Sequence, residues 1–187
     1  MGILSLGMQE SLSKAELIEA VEREFADVTR EGGVSWLEAY ARDGGGSQDL
    51  YDLAKERDIE TCWQELVDST TWDIAEWSSN WSFLDPIGFR YYLAAAIIRE
   101  LKSGDEIVSD FHFWFAPKKP FSAFTEAQNR VIAEFTLYKL LDDRKNSFPD
   151  MVGQPIVRFE PFSDDWKKTD SNWANAYLNF KDYLPDR

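Results

Sequence analysis

The chain has 187 residues, 44% of them hydrophobic and 15% aromatic, and it carries a net charge of −14. That apolar and aromatic content excludes wholesale disorder, and a chain of this length buries enough surface to fold as one domain without a metal or a disulfide. Like charge repels a phosphate backbone and an anionic bilayer, which disfavours nucleic acid and membrane as partners and leaves a basic protein as the suitable one. The charge is uneven: residues 1–82 hold 18 acids against 6 bases, a net of −12, while residues 83–187 hold 16 against 14.

Taken in chain order, residues 1–11 read as a loosely packed N-terminal segment. The run MGILSLGMQESLS has no basic residue ahead of its apolar ones, so no secretory leader is expected. Ser13 and Glu16 have the spacing of a capping box and open the first helix, with Leu17, Ile18, Val21, Phe25 and Val28 on one stripe and Gly32-Gly33 as its end. Ser35 and Glu38 repeat the box and open a short second helix through about residue 41. After the loop Asp43 to Ser47, a third helix carries Leu50, Leu53, Ala54 and Arg57 on one side and restarts towards Trp63, Leu66 and Val67. Residues 68–82 read as irregular with some helix, and Trp72, Trp77 and Trp81 recur there among polar residues.

Asp85 is a good N-cap and Pro86 a good first helical residue, so a helix is predicted through Phe89, Tyr92, Leu93, Ala96, Ile97 and Leu101 to Ser103-Gly104. The run Ala94-Ala95-Ala96 permits close helix approach and marks this as the central core helix. Residues 107–115 alternate with period two, which predicts a strand, and residues 156–159 read as a second, edge strand between prolines. Thr125 and Gln128 form a third capping box ahead of a helix bearing Val131, Ile132, Phe135, Tyr138 and Leu141. A last helix places Trp173, Tyr177, Phe180 and Leu184 on one side. The predicted fold is therefore mainly α, about five to six helices with a minor β component near 107–115 and 156–159, in one domain spanning 1–187.

Most common chemistries lack their residues. Neither glycine-rich phosphate loop nor the G-x-S-x-G elbow occurs. One cysteine, Cys62, and one histidine, His112, make neither a Cys/His zinc site nor an intrachain disulfide. The loop at Asp43 has Gly45 and Ser47 where a calcium loop needs ligands, and Ala54 where it needs glutamate. No metal and no cofactor are expected, and without a spanning run or a disulfide the expected location is the cytoplasm.

Two sets of candidate residues remain. If 107–115 is a strand, Asp110, His112 and Trp114 share a face, and Asp110 is placed to orient the His112 imidazole for general-base work. Carboxylate pairs such as Asp142-Asp143 and Asp164-Asp165 are a further catalytic possibility, although a helix end and a cap account for them. The second set is a surface. Trp72, Trp77 and Trp81, with Asp85, Arg90, Tyr91 and Trp114, would anchor a protein partner through large side chains of low entropic cost, against the alternative that they are core.

The segment Trp81-Ser82-Phe83-Leu84-Asp85-Pro86-Ile87-Gly88-Phe89-Arg90-Tyr91-Tyr92-Leu93-Ala94-Ala95 resembles the signature of a family of bacterial proteins with no assigned activity. The similarity reaches back through Leu37-Glu38-Ala39-Tyr40 and Arg57-Asp58-Ile59-Glu60-Thr61-Cys62-Trp63, and Ala94 stands where the family pattern has proline. The resemblance implies no function. The expectation from the residues is a non-enzymatic binding module, similar in character to the immunity proteins that neutralise basic toxins, with an enzyme using His112 and Asp110 or a carboxylate pair as the alternative.

Overall fold

The structure, a computed structural model, describes residues 10–58, 60–72, 74, 78–103, 123–156 and 172–185. All seven α-helices named below belong to these residues. Helix α1 (Lys14–Glu24) begins with a complete capping box: the Ser13 amide donates to Glu16 Oε2 at 2.8 Å, and the Glu16 amide to Ser13 Oγ at 3.3 Å. Helix α2 (Trp36–Asp43) uses Ser35 and Glu38 in the same way. Helices α3 (Gln48–Arg57) and α4 (Gln64–Val67) follow, then a 3₁₀ turn at Ser78–Ser82. Helix α5 is Pro86–Ser103. Helix α6 (Glu126–Asn146) starts with the Thr125 and Gln128 box, and α7 (Asn172–Phe180) ends in a 3₁₀ turn at Lys181–Tyr183.

Helix α1 stops at Glu24, well before the predicted end at Gly32-Gly33. Tertiary donors take the carbonyls that would have continued it. Gln128 Nε2 donates to the Glu24 carbonyl at 3.0 Å, and Trp63 Nε1 donates to the Phe25 carbonyl at 2.8 Å. The chain then turns through Glu31 and Gly32, both at positive φ.

Helix α5 is the core helix. Every residue from Tyr91 to Ile98 is buried, so it is covered on all sides. It packs on α1 and α4, while α6 packs on α1 and α7. Lys139 of α6 pairs with the buried Glu100 of α5 at 2.6 Å and lies 5.5 Å from the Trp173 ring centroid on α7, so one cation ties three helices. The buried apolar residues form one core cluster drawn from every helix but α3.

Among the described residues no strand is present. The strands predicted at 107–115 and 156–159 lie outside the described residues except Ile156, which is in no regular element. Helix α3 forms where it was predicted, and its Leu50, Leu53, Ala54 and Arg57 side buries no residue; the helix packs on α2.

Candidate functional site

Two features organise the N-terminal half, and both centre on α2. The first is a polar cluster at the helix's N-terminus. Three amides of the first turn need acceptors there. Trp36 N donates to Tyr92 Oη at 2.8 Å, Leu37 N to Asp58 Oδ2 at 3.1 Å, and Glu38 N to Ser35 Oγ at 3.1 Å. Arg30 Nη1 donates to the same Tyr92 oxygen at 3.0 Å and to Glu60 Oε1 at 3.1 Å. The Tyr92 hydroxyl donates in turn to Glu60 Oε1 at 3.0 Å, so its one proton and two lone pairs are all used. Arg30 Nη2 closes the set on the Asp58 carbonyl at 3.3 Å.

The electrostatics follow from burial. The side chains of Arg30, Asp58 and Glu60 are 17%, 9% and 10% exposed. Burial raises the Asp58 carboxyl to about 6; hydrogen bonds from Ser35 and the Leu37 amide work against that shift, and Glu60 adds to it. Arg30, 3.7 Å away, also favours the Asp58 carboxylate, but less than burial disfavours it. The Arg30 guanidinium is itself held above its ordinary value: burial opposes its charge, but Tyr92, Glu60 and Asp58 outweigh it. Burial pushes the Tyr91 and Tyr92 phenols far upward, so both stay neutral.

The cluster joins segments distant in sequence. Asp85 Oδ1 accepts from the Gly88 amide at 2.8 Å as the N-cap of α5, and from the Val34 amide at 3.0 Å just ahead of α2. Gly88 is needed at this crossing, because a Cβ there would lie 2.3 Å from the Val34 carbonyl oxygen. The segments that carry the sequence resemblance, 37–40, 57–63 and 81–95, therefore converge on one lock between α2, α5 and the chain after α3. Its polar groups bond to one another, which is the arrangement of a scaffold.

The second feature is a groove of about 630 Å³ between α2 and α3. Leu37, Tyr40 and Ala41 form one wall, Leu50, Leu53 and Ala54 the other. Tyr40, Leu50 and Leu53 are 50%, 52% and 54% exposed. At 100° per residue, Asp49, Asp52 and Glu56 form a stripe beside the Leu50 and Leu53 arc, and all three are exposed. Asp43 lines the α2 end, and Arg57 is the basic residue of the lining.

The predicted site residues that the structure describes fall outside the groove. Trp72 and Trp81 are 5% and 0% exposed and present no surface to a partner. They pack against Trp36, with ring centroids 5.4 and 5.3 Å away, and Tyr92 closes the group at 5.3 Å from Trp36. The two contacts of Trp36 with tryptophan are edge-to-face and that with Tyr92 is tilted, and four large rings packed in this way gain more by burial than by exposure. Tyr91 is buried as well, beneath Arg30 at 6.0 Å. Asp85 is the cap described above, and Arg90 Nη1 donates to the Ala123 carbonyl at 2.8 Å, tying α5 to the start of α6. Trp77, Asp110, His112 and Trp114 lie outside the described residues. Of the carboxylate pairs, Asp142 is exposed and accepts from Asn146 at 3.0 Å, and Asp164-Asp165 lie outside the described residues. Among the described residues no group of three or more His, Cys, Asp or Glu is placed to hold a metal, and no helix is long and apolar enough to cross a membrane.

Residues 13–176 match DUF6714, a family of unknown function, and the chain belongs to that family. The match spans both the α2 lock and the α2–α3 groove. No curated protein and no solved structure matches the chain.

Proposed function

We propose that the chain is a non-enzymatic, cytoplasmic protein-binding module, and that its acidic N-terminal half receives a basic protein in the manner of an immunity protein on a toxin. The groove between α2 and α3 carries this reading. Helix α3 holds two leucines about half exposed and buries no residue of its own, although burial is the usual reason to place leucines on one helical stripe. An exposed apolar patch rimmed by charge is the form of a protein-binding site. The rim on α3 is acidic, as is the half of the chain around it.

The buried lock is assigned to positioning that groove. It fixes the N-terminus of α2 against α5, and α2 in turn carries α3. An affinity capture from the organism's own extract tests the reading, with the parent chain and Leu50→Asp/Leu53→Asp compared side by side. The expected result is one basic protein held by the parent, released at about 0.5 M NaCl where the Debye length falls to a few ångströms, and not held by the variant. An identical set of proteins on both columns, or an acidic partner indifferent to salt, contradicts it.

A further inference from the structure

Resting on that protein-binding reading, we propose that the occupant of the α2–α3 groove is an amphipathic helix of the partner. Its apolar stripe would lie between Leu37, Tyr40, Leu50 and Leu53, with Lys or Arg flanking the stripe. Both walls of the groove are helices whose backbone groups are bonded within the helix, so no strand edge is offered to an extended segment. A visitor to this groove must satisfy its own backbone, which a helix does. Helix α3 has 10 residues, about 15 Å, which suits two to three turns laid alongside it. The third helix would complete a small bundle whose seam α2 and α3 now leave half open.

The charge of the rim chooses the partner's sign. Asp49, Asp52 and Glu56 border the apolar arc on α3, and Asp43 borders it at the end of α2. Of the nearby bases, Arg57 lines the groove at the C-terminal end of α3, one base against the four acids of the rim; Arg42 Nη2 donates to Glu38 at 2.6 Å and its guanidinium lies 5.7 Å from the Tyr51 ring centroid, while Lys55 Nζ donates to the Gly32 carbonyl at 3.5 Å. A second copy of this chain would bring the same acidic rim and a net charge of −14 to the interface, so self-association is opposed.

The test titrates the full chain with a synthetic helical peptide of leucine and lysine, leucines at i, i+3, i+4 and i+7. Backbone amide shifts are followed by NMR. Shifts concentrated in residues 37–57 are expected. The affinity should fall at least about tenfold in Leu50→Asp/Leu53→Asp, and again in Asp52→Lys/Glu56→Lys, which leaves the apolar walls intact. A peptide with glutamate for every lysine should bind at least about tenfold more weakly.

Absence of binding, shifts on another face, equal affinity for the glutamate peptide, or a dimer dissolved by Leu53→Asp would each overturn the proposal. The two levels separate cleanly. If the captured partner depends on Leu50 and Leu53 while the lysine peptide does not bind, the binding module stands and the helical occupant falls. If no captured partner depends on them, both fall.

Discussion

Asp58 meets two opposing demands. Its carboxylate supplies an acceptor to the buried end of α2, and burial penalises the charge that makes it a good acceptor. The balance leaves its pKa at about 6 instead of the ordinary 3.8. Between those values the folded chain holds a proton that the unfolded chain releases. Asp58 therefore contributes most to stability below the unfolded value, and that contribution is lost as pH rises through about 6. Asp58→Asn keeps an oxygen for the Leu37 amide and removes the charge. It should be more stable than the parent by about 1–2 kcal/mol near pH 8, with the gap closing towards pH 4. Urea midpoints at both pH values check this, and a variant markedly less stable near pH 8 would show that the ionised carboxylate and Arg30 matter more than burial. Gly88 is the steric counterpart. A Cβ there meets the Val34 carbonyl oxygen, so Gly88→Ala should cost about 1–3 kcal/mol through forced separation of α5 from the chain before α2. A thermal midpoint unchanged from the parent's would refute that.

Element by element, local signals were legible wherever they decided the outcome. The capping boxes at Ser13, Ser35 and Thr125 open the helices they predict, and Asp85-Pro86 opens α5. The run through Ala94-Ala95-Ala96 marks the helix that is covered on every side. The end of α1 was not legible, because the groups that stop it, Gln128 and Trp63, lie far away in sequence. Helix α3 shows the same limit in another form. A stripe of Leu50, Leu53 and Ala54 states that a face is apolar without stating what covers it, and here the helix packs on α2 without burying a residue. The sequence left the tryptophans at 72 and 81 open between core and partner anchor, because three of their ring neighbours (Trp36, Phe89 and Tyr92) come from elements whose meeting no spacing rule announces. A stability contrast follows. Leu50→Asp/Leu53→Asp should cost less than about 1 kcal/mol, since both side chains are half in water already. Leu93→Asp, on the fully buried α5, should cost more than about 4 kcal/mol and leave little folded protein. Comparable losses from both would mean that α3 belongs to the core.

At the scale of the whole molecule, the groove lies in the half of the chain that carries nearly all the excess negative charge. Helices α1, α5, α6 and α7 hold the core together, with Lys139 pairing across three of them. Helix α2 puts Trp36 and Ala39 into that core and is fixed by the Arg30, Asp58, Glu60 and Tyr92 lock, while α3 packs on α2 without burying a residue, and the two carry the groove. The sequence pointed to that half through its charge, and the structure moves the candidate surface within it from the tryptophans to the α2–α3 wall. Placement of a photo-crosslinking residue at position 53, with a control at the exposed Glu19 on α1, tests this assignment in living cells. The account predicts one adduct from position 53, to a basic protein, and none from position 19. Adducts of the same kind from both positions, or none from position 53, would contradict it.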